Sequence, residues 1–267
     1  MIRLVVAGAA GRMGKTILAL AGRDPQFRIA GGLEHPESPA LGSDIGVLTG
    51  SEPLGVSVGH DPCAVLKGAD VLIDFTHPSA VPAHLQAVLK TKTAYVLGTT
   101  GLGEKTLAGL RAASKTIQIV QSPNMSVGVN LLFKLAELAG KVLDESYDIE
   151  IAETHHRMKK DAPSGTALKL LEILTEVRKK NPAKDVVYGR EGETGARPKG
   201  EIGVFALRGG DVVGDHVLSF LGDGERLELI HRAASREAFA QGALRAAKFL
   251  AGRKHGFYNM QNVLGIA

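Results

Sequence analysis

The chain has 267 residues, with 32 Lys plus Arg against 28 Asp plus Glu, a formal charge of +4, 44% apolar residues and one cysteine. That length suggests about two domains with cores of their own, needing no staple of disulfides or metal. A lone Cys63 excludes a disulfide framework and any multi-cysteine metal site, and so small a net charge argues against a nucleic-acid partner.

The first apolar run, LVVAGAA after Met1-Ile2-Arg3, breaks at Gly8 and Gly11 and meets Arg12 and Lys15. It reads as a strand entering a glycine turn, not as the core of a signal peptide. No stretch approaches the roughly 18–20 apolar residues of a membrane span, and a cytoplasmic setting is expected. Strands are predicted at 2–7, 27–33, 71–76, 94–100 and 117–122. Most are nearly continuous apolar runs, as parallel strands covered on both faces require. Helices at 12–22, 62–67, 79–90 and 104–114 separate them. Strand–helix–strand repetition with short connections gives a doubly wound α/β sheet.

Beyond about residue 127 the pattern changes. A helix is predicted at 127–143, with Leu131, Leu135 and Leu138 sharing one face. Tyr147, Ile149 and Ile151 then alternate with Asp148 and Glu150, and Leu227 and Leu229 flank Glu228. Such period-two strands suit a sheet with helices on one side and solvent or a partner subunit on the other. The polar, glycine-rich stretch 180–200 reads as a surface loop. A last helix is predicted at 235–251, and the pattern leaves open which domain it packs on.

Three segments carry chemistry. Gly8, Gly11 and Gly14 lie between the first strand and helix, and Glu34 follows the next strand 20 residues beyond Gly14. Glycines there allow a tight turn and close approach of a pyrophosphate, and a carboxylate at the second strand end can accept the ribose hydroxyls. Arg12 could pair with a phosphate. His35, a pH-dependent cation, leaves NADH and NADPH both open. GTTG at 98–101 and SPNM at 122–125 follow later strands, where ligands of open parallel sheets sit.

The densest segment is ETHHRMKKDAPSGT at 153–166. His155, His156, Arg157, Lys159 and Lys160 crowd a loop, and Ser164 caps a helix whose first amides, at Gly165 and Thr166, form an anion site. A histidine that titrates near neutrality and a lysine proton donor suit general acid–base work. The two histidines lack an i,i+4 partner, which argues against a metal.

With VAGAAGRMG, LIDFT, GTTG, SPNMSVGVN, ETHHRMKKDAPSGTAL, REGETGARPKGEIG and ALRGGDVVGDH, the chain resembles the dihydrodipicolinate reductases from residue 2 to about 264. The resemblance implies a Rossmann-type doubly wound parallel sheet plus a smaller α+β domain with a mixed sheet. It implies a dinucleotide-binding domain at 1–126 with 237–267, around a substrate-binding and oligomerisation domain at 127–236. It further implies NADH and/or NADPH as cofactor, a small dicarboxylate substrate and a homotetramer. In this family's pattern His155 and Lys159 are catalytic, and His156, Gly165 and Thr166 bind substrate. Gly8, Ala9, Ala10, Gly11, Arg12, Met13, Glu34, Gly98, Thr99, Thr100, Ser122, Pro123, Asn124 and Met125 match its cofactor-contacting segments. Two departures stand out: His35 replaces an arginine of many NADPH-using members, and Met125 stands where some carry an aromatic. An amino-acid or imino-acid dehydrogenase is the competing enzyme reading. A dinucleotide sensor would leave the 155–166 cluster without a task.

Overall fold

The computed structural model describes all 267 residues. The chain begins with strand β1 (Ile2–Ala7), helix α1 (Arg12–Gly22), β2 (Phe27–Leu33), α2 (Ile45–Leu48), β3 (Val58–Gly59) and α3 (Pro62–Val65). There follow β4 (Val71–Asp74), α4 (Val81–Thr91), β5 (Ala94–Leu97), α5 (Glu104–Ala113) and β6 (Gln118–Gln121). The predicted strands at 71–76 and 94–100 thus end sooner, because Phe75–Thr76 and Gly98–Thr100 leave the ladder to form loops.

Next come α6 (Val127–Val142), β7 (Asp148–His155), α7 (Gly165–Val177), β8 (Val186–Val187), β9 (Ile202–Arg208), β10 (Gly214–Gly222) and β11 (Glu225–Ala233). The chain closes with α8 (Glu237–Leu250), β12 (Gly256–Tyr258) and α9 (Met260–Leu264). The sequence pattern indicates neither β9 and β10 nor the short α2, β3, β8, β12 and α9. Two-residue strands carry too few side chains to show a period.

The chain forms two compact units: Met1–Val127 with Arg236–Ala267, and Gly128–Ser235. The first holds a parallel sheet of seven strands, ordered β12-β6-β5-β4-β1-β2-β3. Both faces are buried. Leu4, Val6, Ile73 and Val96 pack toward α1 and α8, and Val5, Ala7, Leu72 and Leu97 toward α4 and α5. This accounts for strands that read as continuous apolar runs. The order reverses between β1 and β4, so the loops after these two strands diverge and leave a crevice at their carboxyl ends.

Helix α8 belongs to this first unit. Besides Leu244 and Leu250, its buried side is made of small residues, Ala240, Gly242, Ala243, Ala246 and Ala247, which let it lie close to the sheet. A Cβ at Gly242 would stand 1.7 Å from the Met125 carbonyl oxygen.

The second unit holds a mixed sheet ordered β11-β10-β7-β9-β8. β7 and β10 are antiparallel, and β7 and β9 parallel. Ile149 and Ile151 lie opposite Phe220 and Leu218, on the face covered by α6 and α7. In α6 the core side is Val129, Leu132, Phe133 and Ala136. Leu131, Leu135 and Leu138 do share a face, but it is the open one, exposed by 45, 39 and 56%. The 180–200 stretch is a surface segment strapped to β7: Arg190 reaches Glu150 and Glu201, and Arg197 reaches Asp148 and Glu150.

Replacing Gly242 by alanine forces α8 against an immovable carbonyl. It should cost about 2–3 kcal/mol and lower the midpoint of thermal unfolding by about 5–10 °C. Calorimetry checks this, and an unchanged midpoint would contradict the packing described.

Candidate active site

On the first unit, the turn after β1 is built for close approach. Gly8 adopts φ +69°, and a Cβ at Gly14 would lie 2.0 Å from the Gly8 carbonyl oxygen. Helix α1 starts at Arg12 with no side-chain cap and no acid in its first turn. Its leading N–H groups and positive dipole end therefore face the cleft, ready for an anion. The Glu34 carboxylate accepts the Ala10 N–H at 2.7 Å, so this acid closes the glycine turn as well as standing at the end of β2.

The turn opens on a cleft of about 960 Å³. Gly8, Ala10, Gly11, Arg12, Met13 and Glu34 line it, as do His35, Thr76, His84 and Arg236, all of the first unit. Ala9 instead is fully buried, its N–H bonded to the Leu33 carbonyl. Gly98, Thr99 and Thr100 lie at the carboxyl end of β5 but not on this wall. Gly98 admits the Phe75 ring, 2.5 Å from where its Cβ would be, and the Thr99 hydroxyl donates to the Thr76 carbonyl at 3.0 Å. Ser122, Pro123, Asn124 and Met125 follow β6. The Ser122 hydroxyl donates to the Asn124 carbonyl at 2.9 Å, and Met125 is packed in the core beneath α8 rather than on the cleft wall.

One feature of this cleft escaped sequence reasoning. Asp74, wholly buried, accepts from His84 Nδ1 at 2.7 Å, the Tyr95 hydroxyl at 2.6 Å, and the Thr76 hydroxyl and N–H at 2.7 and 2.8 Å. Burial pushes its pKa up, but the bonds from His84, Thr76 and Tyr95 outweigh that and hold it below the usual range. Burial and this carboxylate push the Tyr95 hydroxyl well up. The signal was an acid ending an otherwise apolar strand, VLID.

On the second unit, β7 carries its inward row onward from Ile149 and Ile151 to Glu153 and His155. Glu153 is fully buried. Arg208 Nη1 and Nη2 grip its two oxygens at 2.8 Å each, His155 Nδ1 lies 2.5 Å away, and the Ser164 N–H donates at 3.0 Å. Burial acts to raise the Glu153 pKa, yet Arg208, His155 and the Ser164 N–H bring it below the usual carboxylate value. For His155, burial is the larger effect and pushes the pKa down against the pull of Glu153. The lowered pKa favours the neutral imidazole, with its Nδ1–H on Glu153 and no hydrogen on Nε2.

Lys159 Nζ is held at 2.9 Å by Asp161, and the loop carrying it is tied down where the His156 N–H donates to the Val212 carbonyl at 2.7 Å. Ser164 caps α7 by accepting the Ala167 N–H, and the space where a Gly165 side chain would be is open. An anion can thus reach the first turn of α7 beside Thr166. His216, also buried, bonds Ser164 through Nε2 at 3.1 Å and meets the His155 ring edge-on at 5.3 Å. Burial and the neighbouring His155 push its pKa down to about 4. The structure thus gathers His155, Lys159, His156, Gly165 and Thr166 on one unit and adds Glu153, Arg208 and His216. The inward period of β7 could have flagged Glu153; Arg208 and His216 come from strands far along the chain.

A glycine-turn cleft for a dinucleotide and a proton-transfer cluster beside an anion site are the equipment of a nicotinamide-dependent oxidoreductase. Comparison with known proteins narrows the class. The family models described as dihydrodipicolinate reductase, N-terminus and C-terminus, match residues 2–125 and 128–264. A 4-hydroxy-tetrahydrodipicolinate reductase of Nitrosomonas eutropha is 48% identical over 266 residues, covering 100% of this chain and 99% of that protein. One of Laribacter hongkongensis is 49% identical over 265 residues, covering 99% and 98%. The solved dipicolinate-bound dihydrodipicolinate reductase of Paenisporosarcina sp. TG-14 superposes with a TM-score of 0.77 at 27% identity, covering 98% of this chain and 99% of that one. An amine dehydrogenase from Mycobacterium smegmatis, at 13% identity and a TM-score of 0.59 over 97% of this chain and 95% of that one, shares the fold alone. The chain belongs to the dihydrodipicolinate reductase family.

His216 makes the second unit acid-sensitive. Its folded pKa lies below the value near 6.5 of an unfolded histidine, so its neutral burial carries no penalty above 6.5. As pH falls from 6.5 toward 4 the unfolded chain takes the proton first, and about 3 kcal/mol of stability is lost. His216→Gln should lack this part of the loss. Urea unfolding at stepped pH, comparing the two proteins, measures the difference.

Proposed function

We infer that the protein is a 4-hydroxy-tetrahydrodipicolinate reductase: it uses NAD(P)H to convert 4-hydroxy-tetrahydrodipicolinate to tetrahydrodipicolinate, with loss of water, in lysine and diaminopimelate biosynthesis. The observation that carries the residue roles is the Glu153–His155 pair beside Lys159 and the amino terminus of α7. A cyclic dicarboxylate needs two anion subsites, a proton donor and a polar wall, and these residues supply them.

Gly8, Ala10, Gly11, Arg12 and Met13 would hold the dinucleotide pyrophosphate through backbone N–H groups, with Glu34 toward a ribose; Ala9 supports the turn from beneath. Thr76 and Arg236 line the same cleft. We assign Gly98, Thr99, Thr100, Ser122, Pro123, Asn124 and Met125 to the same region, as the ends of β5 and β6. When bound, NAD(P)H supplies a hydride to the conjugated ring. Gly165 and Thr166 hold one substrate carboxylate at the start of α7, and His156 binds on the other side of the loop. Hydride addition leaves a carbanion-like centre, and the Lys159 ammonium gives it a proton. His155 Nε2, with Nδ1–H on Glu153, takes up or relays a proton in the same site.

On this reading Met1–Val127 with Arg236–Ala267 is the dinucleotide-binding domain and Gly128–Ser235 the substrate-binding domain. A homotetramer built through the second sheet is part of the proposal. It is supported by β11, an edge strand with Leu227 and Ile230 exposed. No helix is long and apolar enough to cross a membrane. We assign the enzyme to the cytoplasm, where NAD(P)H is regenerated.

The test is oxidation of NADH and of NADPH, followed at 340 nm with enzymatically generated substrate, and chemical identification of tetrahydrodipicolinate as product. Lys159→Ala should lower kcat by about 100-fold or more while the Kd for NAD(P)H stays within about twofold. Unchanged turnover in that variant would remove Lys159 from the mechanism.

A further inference from the structure

Every acceptor position of Glu153 is occupied, and this exceeds what a structural ion pair with Arg208 requires. One oxygen, Oε1, receives Arg208 Nη2 and the Ser164 N–H, at 2.8 and 3.0 Å. The other, Oε2, receives Arg208 Nη1 at 2.8 Å and faces His155 Nδ1 at 2.5 Å. Guanidinium and backbone N–H groups can only donate, so the carboxylate is ionised and accepts throughout. His155 must then carry its hydrogen on Nδ1.

We propose that Glu153 is a positioning residue of the reductase, fixing His155 as the Nδ1–H tautomer and yoking it to the cap of α7. The proposal rests on the reductase reading above. Through Arg208 the same anion extends further: Nη2 also donates to the Asp161 carbonyl at 2.7 Å, and the Asp161 side chain holds Lys159 Nζ at 2.9 Å. One buried charge thus orients the histidine, the anion-binding helix start and the loop of the lysine. Outer partners that fix a histidine tautomer act in this way in metal sites and hydrolase triads.

The groups facing His155 are Glu153 on its own strand, Arg208 on β9, His216 on β10 and Lys159 on the loop. Glu153 favours a proton on the imidazole, Lys159 and Arg208 oppose it, and His216, with its pKa pushed down to about 4, is neutral near pH 7. Glu153→Gln removes that charge and offers one oxygen and one NH2. With its oxygen at the Oε1 place, the NH2 confronts Arg208 Nη1 and His155 Nδ1. The reverse setting opposes two donors, Arg208 Nη2 and the Ser164 N–H, and is worse. The imidazole answers the first setting by moving its hydrogen to Nε2.

The experiment is 15N-resolved NMR of His155 in the cofactor-free protein near neutral pH, with steady-state kinetics alongside. Expected are Nδ1–H in the natural protein and Nε2–H in Glu153→Gln. In that variant kcat should fall about 100-fold, its pH profile should move to lower pH, and the KM for NAD(P)H should stay within about twofold. Glu153→Asp, which keeps the charge, should recover part of kcat. An Nε2–H tautomer in the natural protein overturns the proposal without any variant having to fold. So does a folded Glu153→Gln that loses kcat with tautomer and pH profile unchanged, since the acid would then be structural only. If the natural protein does not oxidise NAD(P)H with the dicarboxylate, the reductase reading fails, and the NMR result alone decides the role of Glu153.

Discussion

The carboxylate of Glu153 is shielded from solvent, and the second unit is arranged around the need to compensate it. An isolated buried carboxylate would be driven to protonate or to unfold its surroundings. Here the compensation comes from three places: two guanidinium N–H groups at the end of β9, an imidazole on β7 itself, and the backbone at the cap of α7. Bringing those donors together sets the register of β7 on β9, the entry of α7 and the direction of the His155 ring. The apolar row of Ile149 and Ile151 anchors the strand, and the polar end of that same row holds Glu153 and His155.

The first unit solves a similar problem at the end of β4. Asp74 closes an apolar strand and is compensated by His84 from α4, Tyr95 from β5 and Thr76 from the following loop. The Thr76 carbonyl in turn receives the Thr99 hydroxyl, so the loops after β4 and β5 are joined. The cleft wall is therefore held by charge and hydrogen bonds as well as by packing. Asp74 ends β4 and Glu153 lies two residues before the end of β7, so both acids stand near the loops that must be given a fixed shape if they are to hold a ligand.

Glycine acts here through space rather than flexibility. Gly14 lets α1 meet the Gly8 carbonyl, Gly98 admits Phe75, and Gly242 lets α8 rest on the Met125 carbonyl. In two of the three cases the contact partner is backbone that cannot move aside. These contacts set how near a dinucleotide can come to the turn and how firmly the returning helix closes the unit.

The sequence by itself determined the class of each unit and marked most of the residues proposed for the site. Continuous apolar strands between helices specify a sheet buried on both faces, and Gly8, Gly11, Gly14 and Glu34 are close enough in the chain to read together. So are His155, Lys159, Gly165 and Thr166, which one loop and one helix start bring into a single site. What only the tertiary structure decided was which partners compensate the buried groups. Arg208 lies 55 residues from Glu153, and His216 lies 52 from Ser164; strand pairing, not local spacing, makes them neighbours. The same holds for α6, where Leu131, Leu135 and Leu138 repeat like a core face yet stay open. A helical period says which residues share a side, and only the neighbouring sheet and α7 decide which side is buried.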